Sequence, residues 1–167
     1  MKSIFDNVSF DCSVKVTKAY STSFSSAVKM LAPSIRQDIY NIYGFVRFAD
    51  EIVDTFHDYD KEALFSQFEK DLSLALSQKI SLNPILNSFQ HTVNRYQIPK
   101  ELIDLNEKVK NRAGDPSVYA ARAAYLVRHQ NIDAAYEDLI KGFAIDSTYM
   151  PLYNSLADYH LMKGEPA

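Results

Sequence analysis

The stretch from Ser34 to Asp54, SIRQDIYNIYGFVRFADEIVD, leaves the chain little choice of local structure. Ile35, Ile39, Ile42, Val46, Ala49 and Val53 recur every three or four residues, the period of one helical face and not the two-residue period of a strand. The row is expected to face a core. Ser34 followed by Gln37 has the form of a capping box, with Pro33 just outside it, so the helix is expected to begin at Ser34. A second row, Tyr43, Arg47, Asp50 and Asp54, runs along the same helix beside the apolar one. Two carboxylates and a guanidinium therefore border apolar surface.

That row admits two chemistries. Arg47 pairing with Asp50 or Glu51 on a solvated face would add about 0.3–0.5 kcal/mol to the helix. Alternatively, Asp50 and Asp54, one turn apart, would offer oxygens to Mg²⁺, a hard cation that usually shares its shell with substrate phosphates. Spacing alone leaves both open.

YSTSF at Tyr20 to Phe24, LAPSIR at Leu31 to Arg36 and IYGFVRFADEIVD at Ile42 to Asp54 together resemble the squalene and phytoene synthase family of head-to-head prenyltransferases. In that family a Ser-x-Ser-Phe element precedes a helix with an arginine three residues before the first aspartate-rich motif. Ser21, Ser23, Phe24, Tyr43, Arg47, Asp50, Glu51 and Asp54 fall on matching positions in the same order. YQIPKELID at Tyr96 to Asp104 extends the resemblance over residues 1–105. Thr22 stands where a basic residue is usual, and Tyr20 where many members have histidine.

The resemblance implies part of an isoprenoid-synthase-like helical bundle. It implies Mg²⁺ on Asp50, Glu51 and Asp54, and a prenyl diphosphate of the farnesyl or geranylgeranyl class held by Ser21, Ser23, Phe24 and Arg47. Asp50, Asp54, Arg47 and Tyr43 would carry catalysis in isoprenoid or carotenoid biosynthesis. No DxxxD follows Asp54, whereas the family carries a second aspartate-rich motif facing the first. Complete catalysis is therefore not expected.

Composition narrows the alternatives. Across 167 residues, 47% are hydrophobic and 23% charged, a globular balance with enough chain for one ordinary domain or two very small ones. A net charge of −3 without a basic stripe argues against a nucleic-acid partner. Few alternating β-branched runs leave an all-α fold as the expectation. Cys12 is the only cysteine, so neither a disulfide nor a cysteine-based zinc site is available, which suits a reducing, cytoplasmic setting. Asp6 and Asp11 interrupt the N-terminal apolar residues, so neither a signal peptide nor a transmembrane segment is expected. Prenyl substrates would be compatible with a peripheral position on a membrane.

Along the chain, a first helix is expected from Cys12 to Leu31, with Val14, Val16, Tyr20, Phe24, Ala27, Val28 and Leu31 as its apolar positions. Its cluster Ser21, Thr22, Ser23, Ser25 and Ser26 is a weak helix former, pointing to a kink, a polar helix contact or hydroxyls aimed at a ligand. Asp60 is the expected N-cap of a helix over Glu62 to Leu76, with Leu64, Phe65, Phe68, Leu72 and Leu76 inward. Asn83 and Pro84 open another, burying Ile85, Leu86, Phe89, Val93 and Tyr96, and Pro99 starts the next.

Residues 106–115, including the charged EKVKNRAGD, read as a junction ahead of residues 116–167. Beyond it, an offset of 34 aligns Val118 with Leu152, Tyr119 with Tyr153, Ala123 with Ala157, Tyr125 with Tyr159 and Val127 with Leu161. That period, Ala135 and the AID at Ala144 to Asp146 resemble tetratricopeptide repeats. Arg122, Gly142 and Ser147 depart from the pattern. The resemblance implies helical hairpins and a protein partner, so the alternative function is a helical interaction module or a non-catalytic chimera.

Overall fold

The computed structural model describes residues 1–164, including the side chains of all but 107, 110 and 111. Among the described residues the fold is all-α, with nine helices and no strand. They are α1 (Lys2–Tyr20), α2 (Thr22–Val28), α3 (Pro33–Asp54), α4 (Lys61–Gln78), α5 (Pro84–Tyr96), α6 (Lys100–Asn111), α7 (Pro116–Arg128), α8 (Ile132–Ile145) and α9 (Met150–Lys163). None of the described helices is long and apolar enough to cross a membrane. The chain forms two compact units, α1–α5 up to Gln97 and α6–α9 from Ile98.

Most helix starts follow from local chemistry. The Asp60 carboxylate accepts from the Ala63 N–H at 3.0 Å, and the Asn83 side chain from the Ile85 N–H at 3.0 Å, with Pro84 in the first turn behind it. Asp115 caps α7 the same way, accepting from the Ser117 N–H at 2.9 Å. Two expectations are corrected. α3 starts at Pro33, whose missing N–H costs nothing at the first helical position, and Ser34 caps nothing. Gln37 instead donates to the Phe10 carbonyl at 3.1 Å and to the Asn41 side chain at 2.9 Å. The first helix begins at Lys2 and is not continuous to Leu31. It breaks at Ser21, whose extended backbone (φ −150°, ψ 102°) separates α1 from α2 and whose hydroxyl caps α2. The serine cluster marks this break.

The buried face of α3 also differs from the expected stripe. Asp38, Asn41, Phe45, Ala49 and Ile52 point inward, while Val46 and Val53 are exposed and Ile35, Ile39 and Ile42 only half-buried. Packing of α1 against α3 and α5 explains the rotation. α1 buries Ser9, Ser13 and Thr17, and α5 buries Asn87, Ser88, Gln90 and Thr92. Each such group needs a polar partner once it leaves water. Asn87 donates to Ser9 and to Asp6, both at 3.1 Å, and Ser13 shares a hydrogen bond with Ser88. Asn41 donates to Thr92 at 3.1 Å, and Thr92 donates to Asp38 at 3.0 Å. Gly44 lets α1 approach, since a Cβ there would lie 3.2 Å from the Ser13 hydroxyl.

An apolar layer completes this unit. Phe45 stacks on Phe89 at 4.0 Å and on Phe68 at 5.6 Å between ring centres. Ile85 and Leu86 are fully buried. Tyr20, Phe24, Ala27, Leu31, Leu64 and Tyr96, expected inside, are exposed. The Tyr96 hydroxyl nonetheless donates to buried Asp38 at 3.1 Å, beside Arg95 at 2.9 Å.

In the second unit, α7, α8 and α9 enclose Ala123, Ala135, Leu139, Leu152 and Tyr159, with Leu102 and Leu105 of α6 packed against them. Helix α6 continues into the stretch expected to be a break, ending at Asn111. Two departures from the repeat pattern acquire reasons. A Cβ on Gly142 would come within 2.5 Å of a Leu152 methyl and 3.3 Å of Tyr119, so glycine lets Leu152 pack this close without shifting. Arg122 makes a two-pronged pair with buried Asp138, at 2.7 and 2.6 Å, and also donates to Asn106 at 2.9 Å.

Candidate functional site

The helical period of α3 places Tyr43, Arg47, Asp50 and Asp54 along one row. Tyr43, Arg47 and Asp50 are half-buried and Asp54 is exposed. The corner between α1 and α2 lies against this row through two aromatic contacts. The Tyr20 ring centre is 4.4 Å from the Arg47 guanidinium carbon, and Phe24 stacks on Tyr43 at 4.6 Å with 26° between the planes. These contacts hold the corner that carries Ser21 and Ser23 beside Tyr43 and Arg47. The two serine hydroxyls are 3.3 Å apart, and Ser21 also accepts from the Phe24 N–H at 3.2 Å. Only one of the two protons is used between them, leaving a donor for another partner.

Arg47 settles on Glu51 one turn on, donating at 2.5 Å. Burial pushes the Glu51 carboxyl up, but the Arg47 hydrogen bond and charge, with Thr55 and Tyr20 close by, hold it below its ordinary range. The Arg47 guanidinium is held above its ordinary range, because the Glu51 bond and charge and the charge of Asp50 outweigh its burial, which alone would lower it. Arg47 Nε is buried with no hydrogen-bond partner among the described residues. One donor of the guanidinium is thus unspent.

Asp50 and Asp54 supply the oxygen donors that suit a hard cation. No group of three His, Cys, Asp or Glu side chains converges on a metal-sized point among the described residues. Two carboxylates would leave most of such a cation's shell to other oxygen ligands.

The structure therefore brings Ser21, Ser23, Phe24, Tyr43 and Arg47 together, and places Asp50, Glu51 and Asp54 on the same helix. Tyr20 was not among the residues expected at the site, yet it touches both Arg47 and Glu51. Its signal in the sequence is that it opens the YSTSF element, where many members of the resembling family have histidine.

Against known proteins, the squalene/phytoene synthase family model matches residues 17–106, more than half of the chain. No curated protein and no solved structure matches it.

Proposed function

Because the chain belongs to the squalene/phytoene synthase family, we propose that α3 and the α1/α2 corner form the diphosphate-binding half of a head-to-head prenyltransferase site. One observation carries this reading: Tyr20 on Arg47 and Phe24 on Tyr43 hold the Ser21–Ser23 pair beside the row bearing Asp50 and Asp54. Hydroxyl donors, a cation and two acids on one surface suit a diphosphate and its counter-ion.

In this reading Asp50 and Asp54, assisted by Glu51, would hold Mg²⁺, which would supply positive charge to diphosphate oxygens. Arg47 adds a fixed positive charge, and Ser21 and Ser23 donate to phosphate oxygens. Phe24 and Tyr43 exclude water and turn aromatic faces toward developing positive charge. The ligand is a farnesyl or geranylgeranyl diphosphate. With no second DxxxD after Asp54, binding of one diphosphate is expected, not the full condensation.

Calorimetric titration with a non-hydrolysable prenyl diphosphate analogue, with and without Mg²⁺, tests the proposal. The expected result is Mg²⁺-dependent binding that Asp50→Ala/Asp54→Ala abolishes. A folded sample that takes no diphosphate would sink it.

A second reading concerns the other unit. Helices α7, α8 and α9 follow one another in tetratricopeptide-like order, and a groove of about 370 Å³ lies on α7 and α9, lined by Ser117, Ala120, Tyr149, Asn154 and Asp158. Here the unit docks a protein partner. The same titration separates the readings, since an interaction module gains no stability from Mg²⁺ and diphosphate.

A further inference from the structure

A second concavity lies on the other side of α3, where it packs against α4. This cleft, of about 340 Å³, has walls of Phe48, Ile52, Phe56, Leu64 and Phe68. Ile52 and Phe68, each only 8% exposed, form its inner wall, and Leu64 stands at the rim with 38% exposed. The remaining lining is Tyr20, Glu51, Gln67 and Asp71. Neither Asp50 nor Asp54 lines it, because the 100° step of the helix turns Phe48 and Ile52 away from that row.

We propose that this cleft binds an uncharged aliphatic chain away from Asp50 and Asp54, with Tyr20 and Glu51 standing between it and the diphosphate site. Three phenylalanine rings with an isoleucine and a leucine give water in the cleft few hydrogen-bond partners, so an apolar ligand gains by displacing it. The volume lies near the lower end of the roughly 300–1,000 Å³ of small-molecule pockets, room for one chain and not two. The rim decides the head group. The acids of the lining are Glu51, engaged by Arg47, and Asp71, which accepts from Gln67 at 2.8 Å. A phosphate or carboxylate head brought there meets like charge, whereas a hydroxyl finds acceptors. A neutral long-chain alcohol matches both wall and rim.

The test is titration of the full chain with 1-dodecanol and, separately, dodecyl phosphate, both below micellar concentration, read by carbon-13 methyl NMR. With dodecanol, the Ile52 and Leu64 methyl signals shift saturably, and those of Val46 and Val53 beside the acid row do not. Dodecyl phosphate binds at least tenfold more weakly. Leu64→Trp, which fills the mouth from an exposed position, weakens dodecanol binding at least tenfold at Ile52. If that variant does not fold, Leu64→Glu gives the same reading by adding a third carboxylate. Asp50→Ala/Asp54→Ala leaves dodecanol binding unchanged, which separates this site from the diphosphate site. Silent Ile52 and Leu64 signals, equal binding of the phosphate, or loss in the acid double variant would each overturn the proposal. Shifts at Ile52 and Leu64 that follow protein dilution alone would also overturn it, by identifying a second copy of the chain as the occupant.

Discussion

Where α1 meets α3 and α5, the buried contacts are made by Ser9, Ser13, Asn41, Asn87 and Thr92; where α7 meets α8 and α9, they are made by Ala123, Ala135, Leu139 and Leu152 around one ion pair. Both units are helical, yet they hold their helices in register differently. In the first, directional hydrogen bonds join residues far apart in the chain, such as Ser13 with Ser88 and Asn41 with Thr92. A slip by one turn would leave several buried polar groups without partners. In the second, shape sets the register, with Gly142 receiving Leu152, and the Arg122–Asp138 pair is the principal polar constraint. The consequence is that damage is concentrated at a few positions in the second unit and spread across many in the first.

The largest effect should come from Asp138, whose side chain is only 2% exposed. Asp138→Ala strands the Arg122 guanidinium and should cost about 3 kcal/mol in urea unfolding. Replacing both partners, as Arg122→Met/Asp138→Leu, should cost under about 1 kcal/mol, because no buried charge remains. A double variant as unstable as the single one would show that the pair itself, and not the stranded charge, holds the second unit together.

Acid should act next, and on the first unit. Asp6 is held at about 2, below its ordinary 3.8: burial pushes it up, but hydrogen bonds from Lys2 and Asn87 and the His91 imidazole 3.1 Å away prevail. Since the folded value lies below the unfolded one, the contribution is full above about pH 4 and is lost as pH falls through about 2. It amounts to about 2 kcal/mol. The gap in stability between the wild-type chain and Asp6→Asn should therefore be wide at pH 5 and close by pH 2. A gap that does not change with pH would remove Asp6 from the seam's electrostatics.

Thr92→Val keeps the shape of the seam and removes one hydroxyl, which donates to Asp38 and accepts from Asn41. About 1.5 kcal/mol should be lost, from the partners left unsatisfied. A neutral result would mean that apolar packing, as in the second unit, also dominates the first.

Local chemistry made part of this fold legible. Asp60, Asn83 with Pro84, and Pro99 mark helix starts that the structure shares, because a cap needs only its own next few residues. The buried face of α3 was not legible, because Asp38 and Asn41 go inside only when Thr92 and Arg95 are there to meet them. The break at Ser21 separates two stretches that share a helical period, so the weak helix formers of the serine cluster, and not periodicity, signal it. At the candidate site, the spacing of Tyr43, Arg47, Asp50 and Asp54 was visible as a row, whereas Tyr20 under Arg47 was not.

Residue pattern alone was enough for an all-α chain, for the starts of α4, α5 and α6, and for two acids and an arginine on one helical row. These depend on caps and on a 3.6-residue period, which act within a turn or two. Which face of α3 is buried, the meeting of Arg47 with both Tyr20 and Glu51, and the pairing of Arg122 with buried Asp138 were settled by packing between helices. A buried polar group is stable only where a partner meets it, and here the partners come from helices brought together by folding.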